Sequence, residues 1–475
     1  MKGAASEGYN INTPRPGWAE QNAGDWWKSV CAAVRWTIKE SGVKPKEIQA
    51  LCVSGQMHGG VFLDKKMEPL GPAIIWADGR SRTQVREIYD RVGRLRLGRI
   101  ARSPVATGFM APTLMWLRKE MPDTFKKIHR AMHPKDYMRY RITGEVGTDV
   151  SDASASLLFD TPNRVWSRDI MEALELDSWI FPPCGESPEM CGRVTAEAAS
   201  DLGIIAGIPV ARGGGDTPAA ALGNGLIEPG TVSVTLGTGG QVIAVLGEPV
   251  YDPELRTHTF CHAAPELWYI MGAILAGGMS LRWLRQLMGE RFSFAEFDGL
   301  AGEIPPGSEG LFFLPYLIGE RTPHMDPEAR GALVGLTPRH SAGHFARAVM
   351  EGVAFALKDA FEILISLGIK ADRVITGGSG AQSPVWRQII SDILGTELHI
   401  MASAESSVTG AALLAAVAAG AFPSVKDACK ALVPAHETMT KPNQENAEIY
   451  RKAYSIYRSL YPANEPVFHV IANLI

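Results

Sequence analysis

The sequence predicts an α/β fold made of two halves with a cleft between them. Strand-like segments alternate with helical ones along the chain, the pattern of sheets covered by helices. Three times an apolar strand runs directly into a glycine turn, at 213–215, 237–240 and 377–380. With 475 residues there is room for about three average domains or two large ones. The turns are too far apart for a solenoid repeat and suit a duplicated architecture.

The elements follow in order. A first helix is expected over 26–40, capped by Asp25 and closed by Gly42, with Trp27, Val30, Ala33 and Val34 as its apolar stripe. Ile48 to Val53 reads as a buried strand, and Ser54 to Gly60 as the exposed loop leaving it, with a short strand over 60–63. Helical patterns return over 82–92, 112–120 and 136–143. A strand over 208–212 ends in Gly213-Gly214-Gly215-Asp216, followed by a small-residue helix over 218–223. Glu228-Pro229-Gly230 is turn chemistry suited to a domain boundary. Thr231 to Leu236 alternates like a strand and enters Gly237-Thr238-Gly239-Gly240. An apolar strand over 312–316 leads to the polar loop Gly319-Glu320-Arg321-Thr322. The last glycine turn follows a strand over 373–376, flanked by helices over 345–367 and 384–394.

Composition removes several function classes. Lys and Arg number 47 and Asp and Glu 51, a net charge of −4, so no global field favours nucleic acid or an anionic membrane. Six scattered cysteines do not make a disulfide scaffold, and Cys31 and Cys52, in apolar stretches, are expected to be buried thiols. The longest apolar run, 408–422, is shorter than the roughly 20 residues of a membrane span. The opening residues lack the apolar core of a signal peptide, and a cytoplasmic protein is expected.

Candidate chemistry sits at the strand ends. Glycine turns let backbone N–H groups approach an anion, and also serve as plain tight turns. The GxxxxGK[ST] and GxGxxG nucleotide fingerprints are absent. Asp216 stands where open sheets place their chemistry, and fits either a helix cap or a general base. His58 sits where a pocket floor belongs. His258 and His262 flank Cys261 without further ligands at zinc spacing, which favours a structural role. Glu320 and Arg321 read as an ion pair that orders its loop.

In combination the motifs resemble the FGGY carbohydrate kinase family, and within it the xylulokinases. The segments that carry the resemblance are PGWAEQ (16–21), SGQMHGGVFLD (54–64), IIWADGR (74–80), HPKDYMRYRITGE (133–145), SDASASLLFD (151–160), GGGDTPAAALG (213–223), SVTLGTGG (233–240), FLPYLIGERTPHMDPEARGALVGL (313–336), HFARAVMEGVAFALKD (344–359) and TGGSGAQS (376–383). They run in family order over nearly the whole chain. Thr113 stands where the family usually carries a lysine.

The resemblance implies two ribonuclease-H-like domains of the actin-like ATPase type, a sugar-binding one over 1–226 and a nucleotide-binding one over 227–475. It implies an ATP- and Mg²⁺-dependent phosphorylation of a sugar hydroxyl, most readily D-xylulose, with another pentulose, a polyol or gluconate as alternatives. Asp216 matches the family's base and a Mg²⁺ contact; Met57 and His58 match the sugar-pocket pair. Thr217 stands where a sugar-binding amide is common. Gly237 and Thr238 match the turn facing the ATP phosphates, and Gly278, Arg282, Gly378 and Gln382 fall where the family holds adenosine. Gly and Pro near 223–230 suit a hinge, and a homodimer is implied. One departure stands out. The family opens with a hairpin carrying a DxGT phosphate loop, whereas no DxGT occurs here and Tyr9-Asn10-Ile11 leads directly to PRPGWAEQ. The corresponding expectation is a sequence that starts one hairpin late, favoured because the other site residues persist, or else a shortened N-terminal sheet with open edges and an impaired kinase or a sugar-binding protein without turnover.

Overall fold

The computed structural model describes residues 1–401, 405–434, 439–472 and 474. Its second half is organised by a seven-stranded sheet. Thr231–Leu236 pairs antiparallel with Gly240–Leu246, which pairs with Trp268–Ile274 and that with His258–Cys261. On its other side Thr231–Leu236 runs parallel to Arg373–Gly377, and Arg373–Gly377 parallel to Leu398–Ile400. An antiparallel meander extended by parallel strands is the order expected of a ribonuclease-H-like domain. Val232, Val234, Val242, Ala244 and Ile270 are fully buried and, as alternating cross-strand partners, share the face that packs on the helices, while Ile243, Tyr269 and Met271 face the other way into the junction with the first half.

The helix Ala342–Ser366 lies against this sheet. Its small residues permit close approach: a Cβ on Gly352 would stand 2.2 Å from the Phe313 carbonyl oxygen. Pro384–Leu394 and Gln444–Ala472 cover its outer side, with the Trp386 indole donating to the Met350 carbonyl at 3.0 Å.

The first half holds only two-stranded pairings among the described residues. Ser54–Gly55 runs parallel to Gly214–Gly215, and Val61–Leu63 antiparallel to Arg130–Met132. Here the structure corrects the expected buried strand over 48–53. Only Leu51 is paired, donating to Pro209 and accepting from Ala211, both at 2.9 Å. No described strand lies along its other side, so Ile48, Leu51 and Val53 stay half-buried. Cys52 in the same stretch and Cys31 on the first helix are also half-buried rather than buried.

The first helix spans Ala23–Ser41, three residues earlier than expected, because the Asn22 side chain caps it by accepting from Gly24 N. Asp25 lies in its first turn, and Gly42 closes it at φ 66°. Helices Arg82–Val92 and Pro384–Leu394 have the expected bounds. The apolar run after 408 is the helix Ser406–Ala418, which crosses Asp216–Gly223 at backbone contact distance. A Cβ on Gly410 would meet the Ala219 carbonyl oxygen at 1.8 Å, and one on Gly223 the Ser406 carbonyl oxygen at 1.9 Å. Among the described residues no helix is long and apolar enough to cross a membrane.

The two halves share an apolar base. Phe260, Tyr269 and Met271 of the large sheet pack in one cluster with Met57, Phe62 and Phe109. Cys261 N donates to Ser154 Oγ at 3.0 Å across the junction. A cleft opens above this base.

Candidate active site

Asp216 begins the helix Asp216–Gly223, at the positive end of its dipole, immediately after the Gly214–Gly215 strand. Gly215 takes the cap position, so the cap reading of Asp216 does not hold. Its Oδ1 instead accepts from Thr217 N at 2.6 Å and from Thr217 Oγ1 at 3.2 Å. Burial pushes the Asp216 carboxyl above the usual carboxylate range, and the Thr217 donors oppose the shift. The carboxylate faces a small cavity of about 210 Å³, whose wall includes Ser233, Thr235, Gln241 and Ser407. Ser407 Oγ donates to the Asp216 carbonyl at 3.4 Å.

Beneath the glycine turn that carries Asp216 lies a buried charge cluster. Lys135 Nζ sits 2.6 Å from Asp136, 2.8 Å from Asp149 and 3.5 Å from Asp152. Asp149 also accepts from the Ser151 and Ser187 hydroxyls, at 2.5 and 2.6 Å. Among the described residues neither carboxylate oxygen of Asp152 has a hydrogen-bond partner, and burial holds that carboxyl well above its usual range. Glycines make room for the lysine stem: a Cβ on Gly55 would meet Lys135 Cβ at 3.1 Å.

The loop after Ser54–Gly55 is inward-facing rather than exposed. Met57 is buried against Gly215, where a Cβ would meet Met57 Cγ at 2.6 Å, and the Tyr269 hydroxyl points at Met57 Sδ from 3.8 Å. His58 has φ 72°, left-handed backbone that is strained for a non-glycine residue. Its ring stacks on Phe109 at 3.9 Å, and Nδ1 lies 3.0 Å from the Ala155 carbonyl oxygen. Burial lowers the imidazole pKa to about 3. A neutral ring whose Nδ1 meets a carbonyl carries its proton there, so Nε2 is left as an acceptor.

Two glycine turns line a cleft of about 990 Å³. Gly237, Thr238, Gly378 and Gln382 all lie in its wall, with Trp76 contributed by the first half. Gly378 has φ 86°, and a Cβ there would stand 2.4 Å from the Leu236 carbonyl oxygen, so glycine alone fits. Gly278 and Arg282 are not in that wall. Gly278 N donates to the Gly237 carbonyl at 2.8 Å, which braces the turn from behind, and Arg282 is exposed one turn further along. This cleft and the Asp216 cavity share Asn224, Thr235, Gln241 and Met401, so they are continuous.

The loop 319–322 differs from expectation. Glu320 and Arg321 make no side-chain ion pair. Glu320 Oε1 accepts the backbone N–H of Arg321 at 2.7 Å and of Leu275 at 2.9 Å. Burial raises the Glu320 carboxyl to about 8. His258 and Cys261 lie in a buried edge strand, and His262 Nδ1 accepts from Ala264 N.

Several residues of this site carry no sequence signal that isolates them. Thr235 and Gln241 lie in strands whose buried partners dominate the pattern. The PGWAEQ and IIWADGR segments interlock, with Arg80 paired to Asp78 and Glu20 and stacked over Trp18 at 3.7 Å.

Residues 1–223 match the N-terminal domain of the FGGY family of carbohydrate kinases, and residues 232–419 its C-terminal domain. A xylulose kinase of Staphylococcus epidermidis is 34% identical over 458 residues, covering 96% of this chain and 91% of that one. A crystal structure of a xyloylose kinase from Brucella ovis superposes with a TM-score of 0.91 at 33% identity, covering 98% of this chain and 94% of that one. A gluconate kinase from Lactobacillus acidophilus superposes with a TM-score of 0.92 at 25% identity, covering 98% and 94%.

Proposed function

The chain belongs to the FGGY family of carbohydrate kinases, and we propose that it transfers the γ-phosphoryl group of ATP to D-xylulose, giving D-xylulose 5-phosphate, with Asp216 as general base. One observation carries the reading: the Asp216 cavity opens into the glycine-lined cleft through the shared residues Thr235 and Gln241. A hydroxyl beside Asp216 and a phosphate chain along Gly237, Thr238 and Gly378 would then meet end to end.

Asp216 takes the hydroxyl proton as the sugar oxygen attacks phosphorus. Its raised pKa makes it a stronger base than a solvated carboxylate. Met57 packs behind Gly215, and the His58 Nε2 is the acceptor we assign to a second sugar hydroxyl, although neither side chain lines the Asp216 cavity. Thr217 holds the Asp216 carboxylate in place instead of offering an amide to the sugar. Backbone N–H groups of the glycine turns take the phosphate oxygens, and Gln382 is available to the nucleoside. Among the described residues no group of three or more His, Cys, Asp or Glu stands ready for a metal. Asp216 is the carboxylate that would hold Mg²⁺ arriving with the nucleotide. Bound there, Mg²⁺ neutralises phosphate charge. We place the domain boundary at 226–227, with Gly223 to Gly230 as a hinge whose closure excludes water. A homodimer is the assembly to test by sedimentation.

D-xylulose is favoured by the Met57-His58 pair and by the xylulose kinases among the relatives. The test is kcat/KM for ATP-dependent ADP release across D-xylulose, L-xylulose, D-ribulose, gluconate and glycerol. D-xylulose leading by tenfold or more supports the reading; another leader replaces the substrate and leaves the reaction. The alternative outcome is sugar binding without turnover. D-xylulose binding by calorimetry without ADP release would select it.

A further inference from the structure

The cleft is lined by glycines, small hydroxyl residues and apolar side chains, and among the described residues in its wall Arg321 is the single charged one. The guanidinium is half-buried, and it makes no hydrogen bond or ion pair with any described residue. The neighbouring carboxylate does not occupy it, because Glu320 Oε1 is held by the backbone of Arg321 and Leu275. Arg321 lies in the same cleft wall as Thr235 and Gln241, the residues through which the cleft joins the Asp216 cavity. An unpaired guanidinium drawn out of water is costly, and an anion is the ligand that offsets the cost.

We propose that Arg321 is a catalytic residue that binds the γ-phosphoryl group of ATP and stabilises it during transfer. The inference rests on the kinase reading of the cleft. The bond formed is between the sugar hydroxyl oxygen and the γ-phosphorus. The bond broken joins that phosphorus to the oxygen bridging to the β-phosphate. The hydroxyl proton passes to the Asp216 carboxylate, and ADP leaves with the bridging electron pair. Charge develops on the three equatorial oxygens of the moving group, and a planar fork of N–H donors suits two of them at once. Glu320 is a positioning residue here: by bonding to the backbone on both sides it fixes the loop and leaves the guanidinium unshared.

The test uses the full chain with Arg321→Gln, Arg321→Lys and Arg321→Ala. Thermal melts establish that each variant is folded. The proposal expects Arg321→Gln to lower kcat by about 100-fold or more, with the sugar KM within about threefold of the parent. Arg321→Lys is expected to recover only part of the rate, and guanidinium ion to restore turnover to Arg321→Ala but not to Arg321→Gln, where the side chain fills the space. A structural role would not yield that rescue. Nucleotide binding gives an independent readout: the parent should bind ATP at least tenfold more tightly than ADP, and Arg321→Gln should bind the two alike. A folded Arg321→Gln with unchanged kcat, or an unchanged preference for ATP over ADP, overturns the proposal while the kinase reading stands. A parent chain that binds neither nucleotide overturns both.

Discussion

Gly215 donates its backbone N–H to the Ser151 hydroxyl at 3.1 Å, and that hydroxyl donates to Asp149 at 2.5 Å. The residue in front of Asp216 is thereby tied, through one serine, to the buried Lys135–Asp149 pair. Ser151→Ala should cost about 1–3 kcal/mol, because the buried Gly215 N–H loses its acceptor while Asp149 keeps Ser187 and Lys135. It should also lower kcat more than the sugar KM, because Asp216 loses its anchor. Denaturant unfolding and steady-state kinetics check both. An unchanged stability would mean that the serine bridge carries nothing.

Lys135→Met should be far more damaging, because it leaves Asp136 and Asp149 buried with their cation gone. Removing one partner of a buried ion pair typically costs about 3–5 kcal/mol. The expected outcome is a large fall in the unfolding midpoint or loss of soluble protein. A variant as stable as the parent contradicts the assignment of Lys135 as the cluster's neutralising charge.

His58→Asn should separate the two ring nitrogens. The Asn amide can still donate to the Ala155 carbonyl in place of Nδ1, but nothing replaces Nε2. The sugar KM should rise about tenfold or more, on the scale of one lost hydrogen bond to a buried group, with the melt little changed. The parent's His58 should be neutral throughout the working range. Its folded pKa, near 3, is depressed below the usual 6.5. Its contribution to stability is therefore present above pH 6.5 and lost as pH falls towards 3. His58→Asn should flatten that part of the acid limb, as urea unfolding between pH 4 and 7 can read.

Glu320 behaves in the opposite sense. Its folded pKa, about 8, is raised from 4.5 by burial, so the native state holds a proton that the unfolded state releases. Its contribution is fully present below pH 4.5 and is lost as pH rises through 8. Glu320→Gln, which copies the protonated form, should remove that slope and gain stability relative to the parent at pH 8. Equal pH dependence of the two proteins would show that Glu320 is ionised in the fold.

Much of this architecture was legible because it follows side-chain period. Thr231–Leu236, Arg82–Val92 and Pro384–Leu394 are elements whose apolar spacing states their type and bounds. Asp216 was legible because three glycines aim it at a strand end. The strand expected over 48–53 failed for a reason no period carries: a strand needs partners, and among the described residues only the Leu51 bridge to Val210 is present beside it. The first helix starts early because Asn22 competes with Asp25 for the cap, and both are good cap residues. Glu320 and Arg321, adjacent and opposite in charge, suggested an ion pair. Adjacency does not set side-chain direction, and backbone donors claim the carboxylate first. The Lys135 cluster draws on residues from 135 to 187 that meet only in three dimensions.

The central claim is that Asp216 removes the sugar proton in a phosphoryl transfer. Asp216→Asn keeps the oxygen that accepts from Thr217 and removes the base. The decisive measurement is D-xylulose-dependent ADP release with ATP and Mg²⁺ by the parent and by Asp216→Asn, each with a matched melting curve. The account predicts turnover in the parent and a loss of about 10²–10⁴-fold in the variant, the usual contribution of a positioned base. A folded Asp216→Asn that turns over at the parental rate would contradict it.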